Sequence, residues 1–362
     1  MERIVAVQPP VGSHYVTHPS LADAPFLQAC RRQLPVRTPV WFMRQAGRSL
    51  PEYRAIRAEH GFHEMITNPA LAAEVTLQPV RRHRVDAAVL FSDLITPVQA
   101  IVDGVTVETG RGPVIERPFR SASDLARLRA LEPDDDVPYV AEAVRRVCAE
   151  LDPIGVPVVG FAGAPFTVAT YLIEGGKSKE FAATKTMMHG DPEVFVALLD
   201  QLADIAIASL RAQVRAGASA VQLFDSWAGV LSLADYRRVV LPATARVFAG
   251  LADLGVPRIH FGVGTGELLG AMAEAGAEVV GVDWRVDLRT ARARVGPEVG
   301  LQGNLDPALL SAPWPVIERE ARRVLAQGRA AGPGFVFNLG HGVLPETDPS
   351  VLTRLVKLVH EG

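Results

Sequence analysis

Arg215-Ala216-Gly217-Ala218-Ser219-Ala220-Val221-Gln222-Leu223-Phe224-Asp225-Ser226-Trp227, residues 215–227, carries the repeating unit of this chain. The amphipathic stretch Pro192–Ala216 ends at Gly217, a helix stop signal. A short apolar run, Ala220–Ser226, follows and closes on polar residues. Runs of this kind, short and apolar on both faces, read as strands of a parallel sheet covered on both sides. The same unit recurs in both directions. Gly255 and Gly276 also follow helical stretches and precede apolar runs.

Working outward gives runs at Pro39–Met43, Ala87–Ser92, Val156–Gly163, Ala220–Ser226, Arg258–Gly262, Val279–Trp284, Gly300–Asn304 and Gly334–Leu339. Helix-like stretches follow them: Asn68–Arg82, Pro138–Leu151, Pro192–Ala216, Leu233–Leu254, Gly266–Ala275, Asp287–Arg294, Val316–Gln327 and Pro349–His360. Strands that alternate with helices predict a parallel α/β architecture. Eight repeats favour a closed (β/α)8 TIM barrel over an open doubly wound sheet, and such a barrel takes about 250 residues. The chain has 362. Residues 1–20, with prolines and histidines but no periodicity, read as a flexible N-terminal extension. The connection Thr96–Pro138, after the second strand, reads as a hairpin insertion with Gly104 and a Gly110–Gly112 turn. No linker interrupts residues 21–362, so one barrel domain is expected.

Composition narrows the function. Hydrophobic residues at 48% and charged residues at 21% suit a globular core rather than disorder. A net charge of −3 gives no global field toward nucleic acid or an anionic membrane, and neither is an expected partner. Of 37 basic residues, 33 are arginine. Base-composition bias explains most of that; a fixed anion site built from a few arginines is the sharper reading. Cys30 and Cys148 are too few for a disulfide framework and suit a reducing compartment. The start, MERIVAVQPPVG, is not a signal peptide. No apolar stretch approaches the ~18 residues that span a bilayer. A soluble, cytoplasmic protein is expected. No Walker loop, dinucleotide fingerprint or metal-ligand spacing is present, and no lysine stands at a strand end where a Schiff base would form, so no cofactor or metal is expected.

Barrel enzymes carry their chemistry at the C-terminal ends of the strands. There this sequence places Arg44-Gln45-Ala46-Gly47-Arg48, Asp93, Gly163–Thr167 with Tyr171 beyond, Asp225-Ser226-Trp227, Asp283 and Gly340-His341-Gly342. Arg44 and Arg48 share a face if their turn is helical, and two guanidiniums together call for an anion or an internal acid such as Glu52. Arg54 and Arg57 extend the basic patch. Asp93 either caps loop N–H groups or holds a carboxylate in the barrel mouth for a cation or N–H donor. His341, between two glycines, is either a solvated loop residue or part of a site. Tyr171 precedes Glu174–Lys179, which reads as a mobile loop. Gly262–Gly266 lacks the third glycine of a phosphate fingerprint and reads as turn chemistry. His60 and His63 lack a third ligand.

Two long segments resemble a known family. Pro39–Arg48 followed by Pro51-Glu52-Tyr53-Arg54, and Gly160–Thr167 through Tyr171 and Glu174-Gly175-Gly176, are similar to the signatures of uroporphyrinogen decarboxylase. Phe91-Ser92-Asp93, Asp225–Gly229, Gln302–Pro307 and Asn338–Gly342 continue the likeness from about Pro39 to the C-terminus. The resemblance implies a (β/α)8 barrel, usually a homodimer. It implies an enzyme of haem biosynthesis that converts uroporphyrinogen III to coproporphyrinogen III by decarboxylating four acetate side chains without metal or organic cofactor. Carried over by motif, Arg44-Gln45-Ala46-Gly47-Arg48, with Arg57, would bind the substrate, and Arg44 would donate or relay a proton. Asp93 would bind the pyrrole N–H groups and stabilise a cationic intermediate. Tyr171, Ser226 and His341 would complete the site. A cobalamin-linked methyltransferase of the same superfamily is the enzymatic rival; its His-x-Cys zinc pair would fall on His260-Phe261-Gly262, where the cysteine is missing. A non-catalytic tetrapyrrole-binding protein is the rival from another class.

Overall fold

Short apolar runs bury both faces only if they pair side by side with helices outside them. The computed structural model describes residues 21–108 and 111–362. Numbered along the chain, its strands are β1 (Ala88–Val89), β2 (Val105–Glu108), β3 (Gly112–Ile115), β4 (Val158–Gly163), β5 (Ala220–Asp225), β6 (Arg258–Gly262), β7 (Val279–Gly281), β8 (Gly300–Leu305) and β9 (Phe335–Leu339). Seven of them form one parallel sheet in the order β1-β4-β5-β6-β7-β8-β9. Apart from the pair β2–β3 between β1 and β4, neighbours in the sheet are successive along the chain, so the connections carry their helices over the outer face and the sheet curls like a barrel.

The two edges, β1 and β9, meet residues 39–41. Val40 forms a parallel bridge to Phe337. The Phe337 N–H donates to the Pro39 carbonyl (2.9 Å), and the Asp86 N–H to the Val40 carbonyl (2.8 Å). The expected strand Pro39–Met43 is thus reduced to a bridge. Trp41 N–H reaches the Phe337 carbonyl (3.4 Å), but the other three donors go to side chains: Val40 N–H to Asp86 Oδ2 (2.8 Å), Phe42 N–H to Gln45 Oε1 (2.9 Å) and Met43 N–H to Asn338 Oδ1 (3.1 Å). Pro39 has no N–H to give. Ala87–Ser92 is likewise shortened to Ala88–Val89, because the Phe91 N–H turns to Thr76 Oγ1 (2.9 Å) on the helix Pro69–His83.

Other expected boundaries shift for local reasons. Leu233–Leu254 is not one helix. A turn at Leu233–Asp235 runs through a wider π-helical turn, Tyr236–Val240, into the helix Leu241–Ala249 and a final turn at Ala252–Leu254. Pro242 has no N–H for the Arg238 carbonyl, and the wider turn absorbs that gap. Pro165–Glu174, not among the expected helices, is a helix. Pro165 begins it, where a missing N–H costs nothing, and Gly175 ends it at φ +84°. β2 and β3 pair antiparallel, Val105 opposite Ile115 and Glu108 opposite Gly112, within the connection expected to hold a hairpin. The N-terminal extension 1–20, and Gly110 of the expected turn, lie outside the described residues.

The inside of the sheet is packed. Gln302 accepts from Trp41 Nε1 (3.0 Å) and donates to Gln222 (2.9 Å), all three fully buried. Toward the strand ends, Phe161, Phe224 and Phe261 meet edge to face at 5.7 and 6.0 Å. These rings floor the cavity described next. Among the described residues, no helix is long and apolar enough to cross a membrane.

Candidate active site

The loop from Trp41 to Leu50 is fixed before it presents any charge. Gln45, 1% exposed, accepts the Phe42 N–H and donates to the Ala87 carbonyl (2.9 Å), tying the loop to the start of β1. The Val343 N–H donates to the Met43 carbonyl (2.8 Å), tying it to the segment after β9. Between these ties Arg44 is held at φ +59°, a left-handed conformation unusual for a residue with a Cβ. Gly342 makes room for it: a Cβ there would lie 2.5 Å from Arg44 Cδ. The turn is not helical, and Arg44 and Arg48 are both exposed. Glu52, weighed as their partner, pairs with Arg82 through bonds of 2.6 and 2.8 Å. Arg54 donates to the Arg48 and Ser49 carbonyls, bracing the loop from behind.

A cavity of about 440 Å³ opens beside this loop. That lies within the ~300–1,000 Å³ usual for small-molecule sites. Arg44, Gln45, Ala46, Gly47, Arg48, Arg57, Asp93, Tyr171, Ser226 and His341 all line it, so the structure brings together the residues that the resemblance assigned to the site, while Arg54, Asp225, Trp227 and Asp283 do not line it.

Asp93 follows β1. Its Oδ1 accepts the Ile95 N–H (3.1 Å), so it does cap the loop, while the side chain also lines the cavity. Desolvation raises its pKa above the ordinary carboxylate value, against the pull of the Ile95 amide, Arg44, the Leu94 amide and Lys177. Tyr171 packs edge to face on Trp227 at 6.0 Å, and burial keeps its phenol protonated by raising its pKa. His341 is not a solvated loop residue. Its ring stacks on Trp284 (6.5 Å, 10°), and Arg285 covers the other ring at 4.0 Å. Burial first, then repulsion from Arg44 and Arg285, pushes its pKa down to about 4, so it is neutral at pH 7. Arg44 therefore acts electrostatically on Asp93, Tyr171 and His341 at once.

The bowl has an aromatic floor, a cationic rim and a carboxylate among its walls. That suits a broad ring ligand bearing anionic arms and N–H donors. Sequence reasoning missed several parts of it. Phe161, Phe224 and Phe261 stand near the ends of three successive strands, a pattern visible in the sequence. Lys177 and Glu108 reach the cavity from a loop and from β2, and no local pattern announces that. Gly262–Gly266 is turn chemistry as expected: Gly264 sits at φ +70° and its N–H donates to Asp283 Oδ2. His60 pairs with Glu64 at 2.8 Å. Among the described residues, no three His, Cys, Asp or Glu side chains are grouped so as to hold a metal ion.

The family described as "Uroporphyrinogen decarboxylase (URO-D)" matches residues 21–362. The chain belongs to the uroporphyrinogen decarboxylase family. A uroporphyrinogen decarboxylase of Salinispora tropica is 62% identical over 340 residues, 94% of this chain and 91% of that one. That of Streptomyces griseus is 59% identical, covering 94% and 92%. That of Rhodococcus erythropolis is 57% identical, covering 96% and 98%. Among solved structures, a methyltransferase from Methanosarcina mazei has a TM-score of 0.78 at 21% identity, covering 92% of this chain and 97% of that one. That likeness is one of fold. His260, first residue of the segment weighed above for the rival's zinc pair, is 0% exposed and packs on Phe248 at 5.4 Å. It stands outside the residues that line the cavity of this uroporphyrinogen decarboxylase family member, and Cys30 and Cys148 are buried elsewhere.

Proposed function

We infer that this chain removes the carboxyl groups of the four acetate side chains of uroporphyrinogen III in porphyrin biosynthesis, giving coproporphyrinogen III and carbon dioxide. Family membership over nearly the whole described chain is the observation that carries this reading. The bowl supports it: a macrocycle with pyrrole N–H groups at its centre and carboxylates around its edge is complementary to Asp93 beneath a cationic rim.

Each decarboxylation needs an acceptor for the electron pair that carbon dioxide leaves behind. A pyrrole protonated on a ring carbon is that acceptor. The bond from the acetate methylene to its carboxylate breaks, and its electrons neutralise the ring cation. Protonation of the resulting exocyclic methylene carbon, with loss of the ring proton, leaves a methyl group. The balance is one proton in and one carbon dioxide out. Asp93 would accept the pyrrole N–H bonds and stabilise the ring cation, where low solvation strengthens the attraction. Arg44 and Arg48, with Arg57, would hold carboxylate arms, each charge-assisted bond contributing about 1.5–3 kcal/mol when desolvated. The proton comes from Arg44 or from a water. Neutral His341, clamped by Trp284, would hydrogen-bond a side-chain carboxylate at the edge. Tyr171 and Ser226 would complete the wall, while Gln45, Ala46 and Gly47 shape the loop.

The same proposal includes a closed eight-stave barrel in which Val40 joins the edges, with the antiparallel pair β2–β3 as its insertion. It also includes one catalytic domain over 21–362, a homodimer and a cytoplasmic setting. The test is turnover. Purified protein, treated with chelator and kept anaerobic, should release carbon dioxide from uroporphyrinogen. Binding without turnover would favour a tetrapyrrole-binding protein, and dependence on added zinc or a corrinoid would overturn the reading.

A further inference from the structure

Lysine is rare in this chain, at Lys177, Lys179, Lys185 and Lys357, and one of the four enters the cavity. Helix Pro165–Glu174 ends at Gly175, and the next residues lie along β3. The Ile115 N–H donates to the Gly175 carbonyl (3.0 Å). Gly176 passes so close that a Cβ would stand 3.0 Å from the Pro113 carbonyl oxygen. Lys177 then crosses directly over Gly112. A Cβ on Gly112 would lie 2.9 Å from Lys177 Cε and 3.3 Å from its Nζ. The glycines at 112, 175 and 176 thus leave a track that delivers the ammonium to the cavity wall.

Among the described residues Lys177 has no acid within ion-pair distance, and the neighbouring wall carboxylate, Glu108, pairs with Arg111 at 2.9 Å. Lys177 is exposed, yet it acts electrostatically on Asp93, as Arg44 does from the loop before β1. Two separate elements therefore bring a cation to the cavity that holds Asp93.

We propose that Lys177 is a further substrate-binding residue, its ammonium seated on a carboxylate arm of the macrocycle from the side of the antiparallel pair. This rests on the decarboxylase reading above. It makes the helix–loop Pro165–Lys177 bring two contacts to one ligand, Tyr171 from the helix and Lys177 from the loop.

The test is steady-state kinetics on uroporphyrinogen with Lys177→Met and Lys177→Arg, alongside thermal melts. Lys177 is exposed, so both variants should melt as the wild type does. Lys177→Met should raise KM about tenfold, and kcat should change less than about twofold, the pattern of lost uniform binding. Lys177→Arg should restore most of the KM. The difference between wild type and Lys177→Met should shrink as salt rises, since an exposed charge is screened. A second readout separates charge from shape. Without the ammonium, Asp93 ionises at higher pH, so the acid limb of kcat/KM should move up in Lys177→Met and return in Lys177→Arg. Equal KM and equal acid limbs in wild type and Lys177→Met would overturn the assignment. So would an equal KM rise in both variants. If the wild type itself fails to turn over, the decarboxylase reading fails instead, which is a distinct result.

Discussion

Replacing Asp93 with asparagine should separate activity from stability in opposite directions. Asparagine keeps the size of the side chain and an oxygen for the Ile95 N–H, the 3.1 Å bond that organises the loop. It removes only the charge. A ring cation about 4 Å from the carboxylate gains about 4 kcal/mol at an effective dielectric near 20. A neutral amide dipole returns little of that. Losing one preorganised group of this kind typically costs about 10²–10³ in kcat, or roughly 3–4 kcal/mol, and the same fall is expected here. Stability should move the other way. Burial raises the Asp93 pKa, so the folded protein disfavours the ionised form relative to the unfolded chain. That penalty is absent well below the ordinary carboxylate pKa and complete once pH exceeds the folded value. Asparagine removes it, so at pH 7–8 the melting temperature should hold or rise. The assay pairs anaerobic turnover with thermal melts on the same preparation. A kcat within about threefold of wild type would refute the role of Asp93. A matching loss of kcat and melting temperature would show that Asp93 does no more than cap its loop.

Three further outcomes follow from named contacts. Arg48→Leu should raise KM about tenfold with an unchanged melt, because Arg48 is exposed and makes no ion pair among the described residues; equal KM values in kinetics would contradict this. Gly342→Ala should lower activity at least about tenfold while the protein stays folded, since the new Cβ meets Arg44 Cδ at 2.5 Å and must displace the guanidinium stem; full activity would show that the Arg44 position is dispensable. His83 and His341 have pKa values pushed down to about 4, chiefly by burial. The unfolded chain therefore binds protons that the fold refuses, and stability should fall as pH drops from about 6.5 toward 4. His83→Asn should flatten that slope in pH-dependent denaturant melts, and an unchanged slope would exclude His83 as its source.

The sequence told the architecture through repetition. Helix, glycine, apolar run and polar end recur often enough that the parallel sheet is readable before any contact is known. It misled where side chains take over backbone hydrogen bonds. Asp86, Gln45 and Asn338 consume the donors that would have extended the segment at Val40 into a strand, and Thr76 does the same to Phe91. Apart from Phe42–Gln45, three residues apart, these exchanges cross 15 to 295 residues of chain, beyond any periodicity. At the site, residues at strand ends were legible because the topology gathers those ends on one face. Lys177 was not, since its place depends on glycines in two different segments. The clamp on His341 was hidden too: Trp284 lies at the end of another run, and only the curl of the sheet stacks the two rings. The arginine excess resolves in the same terms. Most arginines pair on the surface, as Arg82 does with Glu52, while Arg44 and Arg48 stand unpaired among the described residues at the cavity.

A structure with coproporphyrinogen bound tests the central claim most directly. The account predicts the macrocycle lying over Phe161, Phe224 and Phe261, with its pyrrole nitrogens about 2.7–3.2 Å from the Asp93 carboxylate and its propionates reaching Arg44 and Arg48. Nitrogens turned away from Asp93, or a macrocycle seated outside this bowl, would contradict it.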